Sequence, residues 1–205
     1  MIKQQIITKS EELFMRYGIR SVSMDDIARE LGVSKKTLYQ QVENKSDLIR
    51  QIFVERSLVE RHEIEVMRKK SANAIEEMVE VARFMISRLS KVSPTSRYDL
   101  EKYYQDVHRE LDHLHMTFFT HFIQENLTRG IEEGLYRRST KVALVAKFFV
   151  GMATRLAHNE YFSVKEHRLE DLVSQLFVYH IHGVASEKGM QVVREYLGDE
   201  DEEKI

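Results

Sequence analysis

The chain has 205 residues, 42% of them apolar and 31% charged, with 31 Lys/Arg against 33 Asp/Glu, one proline, eight glycines and no cysteine. That composition fits a helix-rich globular protein with a substantial core, and it excludes disulfides, thiolate catalysis and cysteine-ligated zinc. The net charge of −2 offers no bulk attraction for nucleic acid, no apolar run approaches the roughly 20 residues that span a bilayer, and the start lacks the apolar block of a secretion signal, so a soluble cytoplasmic protein is expected.

In chain order, Ile6, Ser10, Leu13, Phe14 and Tyr17 share one helical face, and Gly18 is a stop. Ser23 followed by Asp25 and Asp26 reads as the start of a second helix, because a side-chain oxygen caps free amides and carboxylates favour the positive end of the dipole. Ile27, Ala28 and Leu31 give that helix its apolar face, and Gly32 ends it. Ser34 caps a brief third helix through Lys36, Leu38 and Tyr39. The turn Asn44-Lys45-Ser46-Asp47 leads into a longer helix with Leu48, Ile49, Ile52, Phe53 and Leu58 as its predicted buried side.

Beyond residue 73 the helices lengthen. Ile75, Met78, Ala82, Met85 and Leu89 mark one, broken at Pro94. A short amphipathic piece, "DLEKYYQDV", leads into a long helix around "LHMTFFTHFIQENLTRGIEEGL", ending near Gly134. The apolar stretch "ALVAKFFVGMATRLAHNEYF" forms the next. A last stripe holds Leu169, Leu172, Val173, Leu176, Phe177, His180 and Val184. The acidic tail "GDEDEEKI" is expected to fray. The predicted fold class is all-α, with three short helices and then five or six longer ones.

Residues 1–50 carry nine Lys/Arg against seven Asp/Glu, which permits a local basic face there. Within them, two short helices joined by a glycine-bearing turn describe a helix-turn-helix. Ala28 lets the second helix approach, Gly32 opens the turn, and Val33 and Leu38 hold the second helix down. Its outward face then shows Lys35, Lys36, Thr37, Gln40 and Gln41, donors suited to phosphate oxygens and base edges, with Tyr39 beside them. Taken alone, the same pattern also fits a helical hairpin whose lysines are solvated surface.

The stretch "MDDIARELGVSKKTLYQQVENKSDLI" closely resembles the DNA-reading segment of the tetracycline-repressor (TetR) family of bacterial transcriptional regulators. The resemblance lies in Ile27-Ala28, Gly32-Val33-Ser34, Thr37-Leu38-Tyr39 and Asn44-Lys45 with Leu48, and upstream in Leu13-Phe14, Tyr17-Gly18, Val22 and Ser23. It covers residues 5–55 and thins downstream, where "GIEEGLYRRS" and "GVASEKG" are similar to later helices of the family. Val42 stands where a large aromatic is common, and Met24 where a small hydroxyl residue is frequent.

The resemblance implies a three-helix DNA-binding domain over 1–48 and a larger helical effector-binding and dimerisation domain over 49–205. Lys35, Lys36, Thr37 and Gln40 would face the major groove of double-stranded DNA. Ser34, at the cap of that helix, would also belong to the DNA-binding set, while Tyr39, Lys45 and the amide end at Ser23 would hold phosphates. It also implies a homodimer through the last two long helices, whose apolar arcs exceed one intramolecular contact; filling of both faces within one chain is the competing reading. A small apolar or aromatic effector is implied too, with Phe84, Met85, Tyr103, Tyr104, Phe118, Phe122 and Met152 as candidate lining, although aromatics at helical spacing are more often core.

Glu110 and His113 have the Glu-x-x-His spacing of helical di-iron sites, but no second copy exists, so neither metal nor other cofactor is expected. No paired carboxylates, Ser/His/Asp set or phosphate loop supports an enzyme. The reading is therefore a dimeric regulator, most simply a repressor. The rival is a DNA-anchored adaptor whose second domain binds a protein partner.

Overall fold

A computed structural model describes residues 2–89, 93–157 and 167–197. The described residues form ten helices: α1 (Ile2–Tyr17), α2 (Met24–Glu30), α3 (Lys35–Tyr39), α4 (Lys45–Lys70), α5 (Ala74–Leu89), α6 (Pro94–Tyr103), α7 (Gln105–Glu132), α8 (Val142–Ala157), α9 (Leu169–Val184) and α10 (Glu187–Leu197). They belong to two compact units, 1–62 with 91–114 and 63–90 with 115–205.

The first unit is built on Ile6, Phe14, Ile19, Ile27, Leu38, Leu48, Ile49 and Ile52, with Leu100, Val107 and Leu111 added by α6 and α7. It therefore extends past a boundary at residue 48. A helix running unbroken from Lys45 to Lys70 leaves no composition change to mark the division. Leu58, expected to be buried, is 58% exposed: the inward face of α4 turns from Ile52 to Ser57 and Glu60 instead. The α6–α7 break also differs from the expected one. Pro94 opens α6 behind a Ser93 cap, as its fixed φ suits a first helical position. The interruption falls at Tyr104 (φ −130°, ψ 46°), and α7 begins at Gln105 inside the piece predicted to precede it.

The second unit packs α5 on α9 and α10, and α8 on α9. Fully buried Ile75, Met78, Val79 and Ala82 of α5 meet Ile123 and Leu127 of α7 and Ala146 of α8. A polar cluster lies inside this packing. Glu77, with no exposed surface, accepts from Arg129 at 2.9 Å and lies 3.7 Å from Arg68 Nε. Asn126 donates to the Ala74 carbonyl at 2.8 Å, and the buried Tyr136 hydroxyl sits within reach of that carbonyl and of Asn126 Oδ1. Gly130 is required here, because a Cβ would lie 2.1 Å from the Tyr136 ring. Helix α10 went unread in the sequence, although Ser186 caps it and fully buried Val193 anchors it. The tail and the end of the expected 143–162 helix lie outside the described residues.

His180 faces this core with its ring 4.5 Å from that of Phe149 and its Nε2 without a hydrogen-bond partner. Burial pushes its pKa from 6.5 down to about 4. The folded chain thus holds His180 neutral while the unfolded chain binds a proton. This contribution to stability is complete above pH 6.5 and is lost as pH falls from there toward 4, by up to about 3 kcal/mol. Urea unfolding at pH 7.5, 5.5 and 4.5 should therefore show a smaller acid loss for His180→Leu than for the wild type. Equal acid losses in the two chains would contradict it.

Candidate nucleic-acid interface

The reading helix is short and held from both ends. At its entry, Gly32 adopts φ +66°, a left-handed conformation that favours glycine, and the Val33 amide returns to the Ala28 carbonyl at 3.0 Å. Ser34 accepts from the Thr37 amide at 3.1 Å and lies 2.9 Å from the Thr37 hydroxyl. Underneath, Leu38 is fully buried and Val42 nearly so; the smaller residue at 42 still fills the core.

This anchoring leaves Lys35, Lys36, Tyr39 and Gln40 exposed. They are not equivalent. Lys35 reaches back to Asp25 of α2 at 2.6 Å, an exposed pair of small energetic value that nonetheless orients the side chain. Lys36 has no ion-pair partner among the described residues and shares one edge of the helix with Gln40, four residues on. Thr37 is half-buried with its hydroxyl engaged by Ser34.

Two residues read as phosphate contacts are otherwise engaged. Ser23 closes a capping box: its hydroxyl donates to Asp26 at 2.6 Å and accepts from the Asp26 amide at 3.1 Å. These hydrogen bonds hold the Asp26 carboxyl below its usual range, so a carboxylate occupies the end where a phosphate was expected. Lys45 turns inward, donating to the Val22 carbonyl and, at 3.5 Å, to that of Arg20, with its ammonium 5.7 Å from the Phe14 ring. Burial lowers its pKa. Its role is to tie the start of α4 to the turn before α2.

The seven residues read as effector lining are divided between the two units. Tyr103 and Tyr104 belong to the first unit, Tyr103 beneath the Arg20 guanidinium at 4.5 Å and Tyr104 against the first core. Phe84, Met85, Phe118 and Phe122 join the second core. Met152 instead lines an open groove of about 540 Å³ between α8 and α9 with Leu156, Leu172, Leu176 and Tyr179. Along α8, Leu144, Phe148 and Met152 recur every four residues as an exposed apolar stripe, Phe148 at 65%, and Tyr179 of α9 is 72% exposed.

Residues 6–52 match the family model described as bacterial regulatory proteins, tetR family. These residues, which include the helix-turn-helix, are thus similar to the DNA-binding part of the tetR family. The fold extends the likeness over nearly the whole chain. A transcriptional regulator from Cytophaga hutchinsonii superposes with a TM-score of 0.72 at 14% identity, covering 89% of this chain and 98% of the other. A TetR-family regulator from Agrobacterium tumefaciens gives 0.67 at 15% identity over 90% and 97%. The regulator FadR of Bacillus subtilis, solved in complex with stearoyl-CoA, gives 0.65 at 19% over 88% and 98%. No curated protein matches in sequence. Among the described residues, no helix is long and apolar enough to cross a membrane.

Proposed function

We propose that this chain is a TetR-family regulator, a cytoplasmic homodimeric repressor that leaves a near-palindromic operator when a small apolar or aromatic effector binds its second unit. The observation that carries it is the reading helix: Lys36 and Gln40 stand exposed on one edge, over a support in which Leu38 and Val42 are buried. With Lys35 and Thr37 they form the base-reading set, and Tyr39 offers a phosphate contact. One such helix covers too few base pairs for genomic specificity, so two act together about one turn (~10 bp) or more apart. The exposed stripe of Leu144, Phe148 and Met152 supports α8 and α9 as the pairing face. The stearoyl-CoA held by the Bacillus subtilis FadR supports an apolar effector class. The same stripe also suits an adaptor that docks a protein partner there.

Selecting binding sites from random duplex DNA, with sedimentation of the protein alone, tests this reading. A two-fold symmetric consensus and a dimeric mass are expected; an asymmetric site bound by a monomer would refute it. On the recovered operator, Gln40→Ala should reduce discrimination against substituted base pairs by about 1–3 kcal/mol per half-site while leaving affinity for scrambled duplex unchanged.

A further inference from the structure

Four exposed residues meet at the junction of α6 with the turn between α1 and α2. The Arg20 guanidinium lies 4.5 Å from the centre of the Tyr103 ring and donates to its hydroxyl at 2.7 Å. The Lys102 ammonium lies 5.0 Å from the Tyr98 ring centre and 5.6 Å from that of Tyr103, and it donates to the Tyr98 hydroxyl. The two tyrosines meet edge to face at 6.4 Å. Half-exposed tyrosine rings at such a place have no part in the core.

The charges on this patch are uncompensated. In the same unit Lys9, Arg29, Lys35, Arg50, Arg56 and Arg109 each have a carboxylate within 4.0 Å, whereas Lys36 on the reading helix has none among those described. Arg20 and Lys102 have none among the described residues. The neighbouring Asp99 is buried and accepts the Arg20 backbone N–H at 2.8 Å, and Glu101 lies about 100° further round the helix from Lys102. Stacking on the rings limits the rotamers of both cations, so little side-chain entropy remains to be lost on binding an anion.

The patch is also fixed to the reading head. Ser96 of α6 donates to the Phe14 carbonyl at 2.6 Å, and a Cβ on Gly18 would lie 3.0 Å from Thr95. Lys45 holds the Arg20 carbonyl from the other side. Arg20 is five residues from Asp25, hence at most about 18 Å from the residue that pairs with Lys35. That upper bound is about the rise of five base pairs, which keeps the patch close enough to α3 for both to meet one duplex.

We propose that Arg20 and Lys102, seated on Tyr98 and Tyr103, form a second phosphate-binding surface that grips duplex DNA flanking each half-site. It rests on the operator-binding reading above and adds to it affinity without sequence information, since cations and phenol hydroxyls on phosphate oxygens do not distinguish bases. Two added phosphate contacts per protomer make four per dimer.

The test uses the full-length protein and the selected operator in two lengths, trimmed to the half-sites or extended by 10 bp on each side. Arg20→Gln/Lys102→Gln should bind the extended duplex more weakly, with the slope of log K against log[salt] shallower by about 3 to 4. Its operator-to-scrambled ratio should match the wild type, and the difference between the two proteins should vanish on the trimmed duplex. Arg20→Lys/Lys102→Arg, which keeps both charges, should restore most of the slope. A double variant that matches wild type on the extended duplex overturns the proposal, as does an equal loss on both lengths. So does a variant unchanged on DNA but no longer retained by immobilised polyglutamate, which would make the patch a protein-docking surface. If the wild type itself prefers no sequence, the operator reading fails first and visibly.

Discussion

Arg129→Ala is expected to destabilise the second unit by about 3–5 kcal/mol, more than any exposed substitution in the chain. Arg129 of α7 ties α5 and the residue that follows α4 at one point: Nη1 donates to Glu77 at 2.9 Å, Nε to Glu133 at 2.7 Å and Nη2 to the Ser71 carbonyl at 2.9 Å. Removing it strands Glu77, which has no exposed surface, with only the more distant Arg68 opposite. Burial already raises the Glu77 pKa, and Arg129 and Arg68 oppose that rise. Without Arg129 the pKa rises further and the carboxyl must take up a proton to stay folded. The folded state then binds more protons than the unfolded one above pH 4.5, so the loss should grow as pH increases. Urea midpoints for wild type and variant at pH 5.5 and 8 check both sign and size. Arg129→Lys keeps the charge but not the three-way geometry and should fall between them. A loss below 1 kcal/mol at pH 8 would mean that Glu77 is satisfied without Arg129.

Phe148→Asp is expected to abolish high-affinity operator binding without touching the reading helix. If α8 and α9 pair across a two-fold axis, each substitution acts twice, because the same patch meets itself. Losing two buried phenyl groups at about 2 kcal/mol each weakens the dimer roughly a thousandfold, before the cost of desolvating a carboxylate is added. Sedimentation should then show monomer at micromolar concentration, with unchanged helicity, since Phe148 is the most exposed large apolar residue of α8 and contributes little to its own fold. Weak sequence-independent DNA binding should survive. A variant that stays dimeric places the interface elsewhere and moves α8 toward the adaptor reading.

The reading head was the most legible part of the chain. Gly18 and Gly32 at positive φ, Ser23 and Ser34 as caps, and Leu38 as the buried anchor are all local signals, written within three or four residues of the conformation they dictate. The apolar stripes of α5 and α9 were equally plain. Helix ends between long elements were less so: Tyr104 interrupts α6 and α7 by packing on the first core, and no residue nearby codes a stop.

What the sequence determined on its own was therefore the helical class, the helix-turn-helix and the family it resembles, because capping, glycine conformation and 3.6-residue periodicity act over one or two turns. Only the tertiary structure decided which polar groups were already engaged. Lys45 holds the Arg20 and Val22 carbonyls, and the Ser23 hydroxyl meets Asp26, engagements that no local pattern announces. Arg20 and Lys102, 82 positions apart in the chain, became neighbours by the packing of α6 against the turn that follows α1. A hydrogen-bond partner distant in sequence leaves no trace in local pattern, and on that partner depends whether a charged side chain faces a ligand or its own backbone.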